Sequence, residues 1–378
     1  MEIEIWDARR TADATRWLAA HQNLPDREVF AHPSYVRLFA GERDEPLAAY
    51  AQTPSGSILY PFVLRPITAP HLVAVCEQPA CDIISPYGYG GAFHTGADDV
   101  AAKEFWSAFD DFCRSRRVVS EFSRLCLFED RRLPYPGLTE QKLVNVVRDL
   151  RTPRDQLWRE VEHKVRKNVN KARRLGVRVE VDETAARLDD FLRIYRATMD
   201  RRNARSDFYF SRDFFEVIVR ELAGHFTFFH ALHGERVVST ELVLASGRTL
   251  YSYLGGTERS AFDLRPNDLL KFEAFRWGQE HGKRHFVLGG GYAPDDGIFR
   301  YKRAFAPEGL VPYCVGTRVF DQVGYRRLVE AHQALGRRHS AFWEPDTGFF
   351  PGYRQHLPPQ PTSRPGYRSS TYMAPLVR

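Results

Sequence analysis

Cysteine is scarce in this chain and follows no pairing pattern. The 378 residues include five cysteines, at positions 76, 81, 113, 126 and 314, without a Cys-x-x-Cys among them. An odd and scattered set argues against a disulfide framework, so we expect buried free thiols in a reducing compartment. The acidic start, residues 1–7, lacks the apolar core of a signal peptide. We therefore expect a cytoplasmic protein.

Long apolar runs and several enzyme motifs are also missing. No stretch approaches the roughly 18 apolar residues of a membrane span, so none is expected. The absence of G-x-S-x-G, H-E-x-x-H and G-x-x-x-x-G-K-[ST] argues against serine hydrolases, zinc proteases and P-loop ATPases. His225, His230 and His233 cannot all converge from one predicted strand. We expect neither a metal ion nor a bound cofactor.

The composition is that of a well-packed globular protein with a small positive excess. Hydrophobic residues make up 43% and aromatic residues 13%, and 54 basic against 48 acidic residues give a net charge of +6. A chain of this length suits two domains. The charge is compatible with RNA or phosphorylated ligands, but we expect no DNA binding.

One order of features occurs twice. A hairpin, an extended run with a Tyr-x-Gly-Gly or Tyr-Leu-Gly-Gly end and an aromatic helix are predicted at 46–66, up to 87–91 and 100–117, and again at 225–244, 249–256 and 266–281. This repetition predicts an α/β (α+β) fold with two tandem domains, each a mixed, largely antiparallel sheet flanked by helices. The predicted domains are 1–152 and 153–355, followed by a Pro/Ser-rich irregular tail at 356–378.

Cations stand beside a glycine-rich strand end. Residues 285–291 end in three glycines, which let a ligand approach the backbone. Residues 296–305 then interleave basic and aromatic side chains. An extended stretch would place Arg300 and Lys302 on one face, whereas a helical turn would pair Phe299 with Lys302. Either arrangement suits an anionic or oxyanion-forming substrate, and a solvated basic loop is the alternative.

A helix with a basic surface is predicted over residues 155–175. Apolar residues recur every three or four positions, and Gly176 fits the helix end. Six cations with no acid among them follow within eleven positions: Lys164, Arg166, Lys167, Lys171, Arg173 and Arg174. They either keep the helix soluble or contact RNA phosphates, which would position a ligand without reading its sequence.

These stretches resemble the Fem-type (FemABX-like) peptidyltransferase superfamily, whose members contain two acetyltransferase-like (GNAT-like) domains. The similar stretches cover most of residues 80–305, namely 85–91, 164–176, 198–204 with Tyr209, 251–256, 267–270 and 286–291 leading into 300–305. The resemblance implies two tandem GNAT-like domains. It also implies transfer of an aminoacyl group from a charged tRNA to an amine, forming an amide bond.

The resemblance further implies site residues. Lys302 matches a lysine placed near the reacting carbonyl, where an ammonium would stabilise the oxyanion or the leaving ribose oxygen. Asp82 is a candidate for orienting the attacking amine, with a structural turn carboxylate as the alternative. Arg166, Lys167 and Arg173 are expected to approach tRNA. The expected substrate-binding residues are Tyr87, Tyr89, Gly90, Arg201, Tyr209, Tyr251, Tyr253, Asn267, Gly290, Arg300 and Tyr301.

Three functions stay open at this point. The first is an aminoacyl-tRNA-dependent transferase acting as a monomer on a small amine or peptide acceptor, in peptide natural-product or cell-wall precursor biosynthesis. The second is an acyl-CoA-dependent N-acyltransferase, although residues 259–265 lack the usual glycine-containing loop before the helix that holds the pyrophosphate. The third is a non-catalytic RNA- or nucleotide-binding protein.

Overall fold

The structure is a computed structural model that describes residues 1–358. Its strands are β1 (Glu4–Asp7), β2 (Glu45–Thr53), β3 (Gly56–Pro66), β4 (Cys81–Ile84), β5 (Phe93–His94), β6 (Val118–Arg124), β7 (Leu138–Asp149), β8 (Val177–Asp182), β9 (Phe226–His233), β10 (Arg236–Ala245), β11 (Thr249–Thr257), β12 (His285–Gly289) and β13 (Leu310–Val319). Its α-helices are α1 (Thr11–Asn23), α2 (Pro33–Leu38), α3 (Pro70–Val73), α4 (Asp99–Ser115), α5 (Arg154–Glu160), α6 (His163–Arg174), α7 (Leu188–Arg201), α8 (Arg212–Glu221), α9 (Pro266–Glu280), α10 (Gly297–Arg303) and α11 (Gln322–His339). None of the helices in this range is long and apolar enough to cross a membrane.

The chain forms two compact units that are not consecutive in sequence. Within the described residues, unit 1 contains 1–24, 30–142 and 314–358, and unit 2 contains 25–29 and 143–313. The predicted linear division at 152 and 355 therefore needs correction, because β7 and β13 each contribute residues to both units. Most of the predicted irregular tail, residues 359–378, lies outside the described residues.

Unit 1 contains a sheet in the order β1-β2-β3-β4-β6-β13, with β5 paired to β3. The predicted hairpin at 46–66 is confirmed as β2 and β3, and β4 and β6 are parallel. The run at 87–91 belongs to a loop, which corrects the predicted strand end. A side chain on Gly88 would meet the Phe30 ring at 2.2 Å, and the φ of this glycine is +115°. The loop therefore requires glycine at this position.

Unit 2 contains a sheet in the order β7-β12-β11-β10-β9-β8. The predicted hairpin at 225–244 is confirmed as β9 and β10, and β11 and β12 are parallel. Helices α5, α6 and α9 bury apolar side chains in one core with these strands. The predicted fold class is thus confirmed, since each unit has a mixed, largely antiparallel sheet with flanking helices.

The predicted helix at 155–175 is two helices, α5 and α6. The backbone of Val161 is extended and ends α5, while the Glu162 N–H donates to the Ala304 carbonyl at 2.9 Å. The Arg166 guanidinium contacts the backbone carbonyls of Trp158, Arg159 and Val161. These contacts satisfy carbonyl groups that a helix end leaves unpaired.

Candidate active site

A cleft opens in unit 2 where two parallel strands stop pairing. The ladder between β11 and β12 runs only from Thr249 and His285 to Tyr251 and Val287. Beyond this point β11 continues along β10 to Thr257, whereas β12 ends at Gly289. Parallel strands that stop pairing in this way are where open α/β sheets bind ligands, so we take the diverging strand ends as the candidate site.

Helix α10 places Lys302 at this cleft. The Asp296 carboxylate caps the helix by accepting from the Phe299 N–H at 2.7 Å, and it also accepts from the Tyr292 N–H at 2.6 Å. The helical arrangement of residues 296–305 is thus the one found. The Lys302 Nζ donates to the Gly290 carbonyl at 2.7 Å, which ties α10 to the end of β12.

Lys302 is half-buried, and the pKa of its ammonium is low for a lysine. Burial and, to a smaller extent, the neighbouring Lys271 lower this pKa to about 8, although Glu241 and Asp296 oppose the shift. An ammonium carries three N–H donors. Within the described part of the chain, the Gly290 carbonyl accepts one of these N–H groups. The other two N–H groups can therefore donate to the carbonyl of a bound substrate.

Lys271 and Glu241 form a buried ion pair beside Lys302. They extend from α9 and β10, and each is 5% exposed. The Lys271 Nζ contacts the Glu241 carboxylate and donates to Ser252 Oγ at 3.0 Å. Ser252 in turn donates to Glu241 at 2.5 Å. These residues were not predicted, although a lysine next to Leu270 and Phe272 on an otherwise buried helix is a signal that could have identified one of them.

A pocket of 430 Å³ lies at the start of α9. Its lining residues are Lys164, Val165, Asn168, Arg265, Asp268, Gly297, Arg300, Tyr301 and Ala304. The predicted residues Arg300 and Tyr301 are therefore brought together here, and the Asn267 amide donates to the Tyr301 hydroxyl at 2.7 Å. Three basic residues against one aspartate make this pocket suitable for an anionic group.

The exposed face of α6 carries a basic stripe. The stripe consists of Lys164, Lys167, Lys171 and Arg174, spaced three, four and three residues apart. Of the predicted tRNA-contacting residues only Lys167 belongs to it. Arg166 instead contacts carbonyls of the α5 end, and Arg173 pairs with Glu273 at 2.7 Å. Both residues thus have partners within unit 2, as Lys164 has in Glu162 at 3.2 Å, and their contact with tRNA stays a prediction.

The residues predicted in unit 1 have structural roles. Both oxygens of Asp82 are paired, with Arg65 at 2.7 Å and Arg354 at 2.8 Å, and its side chain is fully buried. Burial alone would raise the pKa of the Asp82 carboxyl, but the Arg354 and Arg65 guanidinium groups hold it below its usual value. A carboxylate so enclosed cannot reach an attacking amine, so the catalytic assignment of Asp82 is corrected.

The Tyr-Gly motif of unit 1 is packed against its own core. The Tyr87 carbonyl accepts from the Tyr35 hydroxyl at 2.7 Å, and the Tyr89 ring meets the Phe30 ring edge-on at 5.4 Å. Gly90 bridges to the chain beside β6, where its N–H donates to the Arg124 carbonyl. These contacts support the loop and do not identify a ligand.

Of four further residues that were predicted to bind substrate in unit 2, one is a core residue and three are at least partly exposed. Tyr251 is buried and donates to the Glu28 carboxylate at 2.7 Å, which makes it a core residue and corrects its predicted contact with substrate. Tyr253 is half-buried on the part of β11 beyond the paired ladder. Arg201 lies over the Phe262 ring at 5.1 Å, and the exposed Tyr209 donates to Asp200 at 3.0 Å.

Comparison with protein families adds an independent observation. Residues 159–303 match the acetyltransferase (GNAT) domain family, and this range includes the cleft, Lys302 and the buried ion pair. This part of the chain is therefore similar to the GNAT domain family. Comparison with curated proteins found no match.

Solved structures extend the likeness over both units. The crystal structure of FemX is similar with a TM-score of 0.61 and 14% identity, covering 86% of this chain and 99% of that chain. L-PGS from Bacillus licheniformis is similar with a TM-score of 0.51 and 13% identity, and the match covers 89% of this chain and 99% of that chain. The C-terminal domain of a putative lysylphosphatidylglycerol synthetase from Agrobacterium fabrum is similar with a TM-score of 0.50 and 13% identity. This match covers 85% of this chain and 95% of that chain. The resemblance to the Fem-like GNAT fold is thus confirmed.

Proposed function

We propose that the protein is an aminoacyl-tRNA-dependent transferase that forms an amide bond on an amine acceptor. The observation that carries the proposal is Lys302, a half-buried ammonium that donates one N–H to the Gly290 carbonyl and has two further N–H donors for a substrate at the end of β12. The fold shared with FemX and the lysylphosphatidylglycerol synthetases supports it.

The chemistry follows from what a confined ammonium does. The acceptor nitrogen attacks the ester carbonyl of the donor, a C–N bond forms, and negative charge develops on the carbonyl oxygen. Lys302 stabilises this oxyanion from a half-buried position, where an ammonium interacts more strongly than it would in bulk water. The C–O bond to the ribose then breaks, and the proton lost by the amine is taken up by the leaving ribose oxygen. With a pKa of about 8, the Lys302 ammonium can give its own proton to the ribose oxygen and regain one from the amine nitrogen, so the net transfer is from amine to ribose.

The basic stripe of α6 would hold the RNA part of the donor. Its residue Lys164 also lines the pocket at the start of α9, so the stripe continues into the cleft region without leaving unit 2. Phosphate contacts of this kind supply affinity and orientation without sequence selectivity.

An acyl-CoA-dependent N-acyltransferase is the second candidate. The observation in its favour is the match of residues 159–303 to the acetyltransferase (GNAT) domain family. The pocket with Lys164, Arg265 and Arg300 at the first turn of α9 would suit a pyrophosphate as well as an RNA phosphate.

A donor assay separates the two candidates. Purified protein is supplied with a pool of tRNA charged with labelled amino acids and with small amine acceptors, with and without ribonuclease. We expect a labelled amide product that ribonuclease abolishes. Release of free thiol from acyl-CoA, together with no transfer from charged tRNA, would contradict the proposal and favour the second candidate.

A further inference from the structure

Unit 2 exposes aromatic rings next to the Lys302 cleft. Tyr292 is 66% exposed and Phe262 is 43% exposed, which is unusual for rings of this size. The Phe208 ring meets the Tyr292 ring edge-on at 6.2 Å. Isolated exposed rings need no explanation, but these rings occur together with a group of arginines.

The arginines are Arg201, Arg202 and Arg259. Arg201 lies over the Phe262 ring at 5.1 Å and within electrostatic range of the other two, and Arg202 is in turn within range of the Tyr292 hydroxyl. In the described part of the chain none of the three pairs with a carboxylate within 4.0 Å. Three neighbouring like charges without a counter-charge favour an anionic ligand.

The patch is close to the reacting centre. Tyr292 follows Gly290 by two residues, and the Gly290 carbonyl accepts from Lys302 at 2.7 Å. Two residues span at most about 7 Å, so the patch begins close to the Lys302 ammonium. The Asp296 carboxylate holds the Tyr292 N–H at 2.6 Å, so the ring is carried by a fixed backbone.

We propose that this patch binds the unpaired terminal nucleotides of the RNA donor, with bases stacked on Tyr292 and Phe262 and phosphates held by Arg201, Arg202 and Arg259. Aromatic platforms edged by arginine bind single strands in this way, because every base has a π-face. A hydrophobic protein partner would leave the arginines without counter-charges. The inference rests on the proposed function and specifies which part of the donor this surface recognises.

Fluorescence anisotropy with a labelled single-stranded RNA of about ten nucleotides ending in CCA tests the patch. Tyr292→Ala and Phe262→Ala should each weaken binding roughly 5- to 150-fold, as expected for one lost base stack, whereas Tyr292→Trp should retain affinity. Replacing the three arginines by Gln should reduce the slope of log affinity against log salt by about 2. Phe342→Ala, at a ring that is 96% exposed in unit 1, is the matched control.

The outcomes distinguish this inference from the donor assignment. If Tyr292→Ala and Phe262→Ala bind RNA as wild type does and keep its KM for charged tRNA, the patch is not the site, while the transferase function stands. Displacement of the labelled RNA by coenzyme A would assign the patch to the adenine of an acyl-CoA donor and overturn the inference. If wild type transfers nothing from charged tRNA, the donor assignment fails whatever the patch binds.

Discussion

The charge of Lys302 lowers the stability of the folded protein and is also the group that the proposed reaction needs. Its ammonium is enclosed beside Lys271, so burial and like charge both disfavour the protonated form. Residues that reduce stability where they lie are retained mostly for function. The position of this group at the open end of the cleft is what makes it the centre of the proposed mechanism.

Replacing Lys302 by Met should separate stability from activity. We expect Lys302→Met to raise the free energy of unfolding at pH 7 by about 1–3 kcal/mol, because a poorly solvated charge is removed at nearly constant volume. Turnover should fall by roughly 100-fold or more. Denaturant unfolding measures the first effect, and the gain should shrink between about pH 8 and 10.5, where folded Lys302 has released its proton but the unfolded chain has not.

The control for this substitution is Lys283→Met. Burial also lowers the pKa of Lys283, and its Nζ donates to the Ser246 carbonyl at 2.7 Å, but it precedes β12 and so lies at the opposite end of that strand from Gly290. Lys283→Met should keep wild-type turnover. A loss of stability in Lys302→Met with unchanged turnover would mean that Lys302 is a structural residue.

The pH profile should report the protonation of Lys302. Because the ammonium form is active and its pKa is about 8, kcat/KM should fall as the pH rises above 8. In Lys302→Arg the guanidinium stays charged, so the slower variant should lack this alkaline limb. An alkaline limb that persists in Lys302→Arg would assign it to another group.

The sequence shows Lys302 among cations next to a glycine-rich strand end, and the resemblance to the Fem-type superfamily implies its role near the reacting carbonyl, which stays a prediction. Sequence reasoning missed Glu241 and Lys271, whose pairing depends on α9 packing across β10 and β11. The sequence also pointed to Arg166 and Arg173 as RNA-contacting residues, because their positive charge can be read from it. The carbonyl and carboxylate groups with which these two side chains pair in the fold cannot.

Helix α6 illustrates the same limit for an element. The apolar spacing correctly predicts the buried residues Val165 and Val169, and it does not predict the break at Val161. That break depends on a hydrogen bond from Glu162 to Ala304, which is distant in sequence. The hairpins were predictable because their alternation and turns are local.

Charge reversal on the basic stripe should weaken donor binding without changing the chemistry. We expect Lys167→Glu with Lys171→Glu to raise the KM for charged tRNA about 10-fold or more and to leave kcat nearly unchanged. Arg326→Glu with Arg337→Glu on α11 makes the same change of charge on exposed positions of unit 1. Equal effects of the two pairs would indicate a general electrostatic effect and contradict a binding role for α6.

At the scale of the whole molecule, the two units have different tasks in this account. Unit 2 contains the range 159–303, which matches the GNAT domain family, and the Lys302 cleft. In unit 1, the corresponding Tyr-Gly loop packs against side chains of the same unit. The Asp82 carboxylate is enclosed between two arginines. The repeated order of features was readable from sequence, whereas the exchange of chain between the units within β7 and β13 was not.

Asp82→Asn should therefore affect folding and not catalysis. Removing one partner of a buried ion pair leaves Arg65 and Arg354 partly uncompensated, so we expect a loss of about 3–5 kcal/mol in the stability of unit 1, measured by calorimetry. At low temperature the folded variant should keep its kcat. A stable variant with a strongly reduced kcat would restore Asp82 as a catalytic candidate.

The most direct test is the single-turnover rate of transfer from charged tRNA to an amine acceptor for wild type, Lys302→Met and Lys283→Met. The account predicts ribonuclease-sensitive product from wild type and Lys283→Met at similar rates, and a rate at least 100-fold lower for Lys302→Met at unchanged donor affinity. Equal rates for all three proteins would contradict the central role of Lys302.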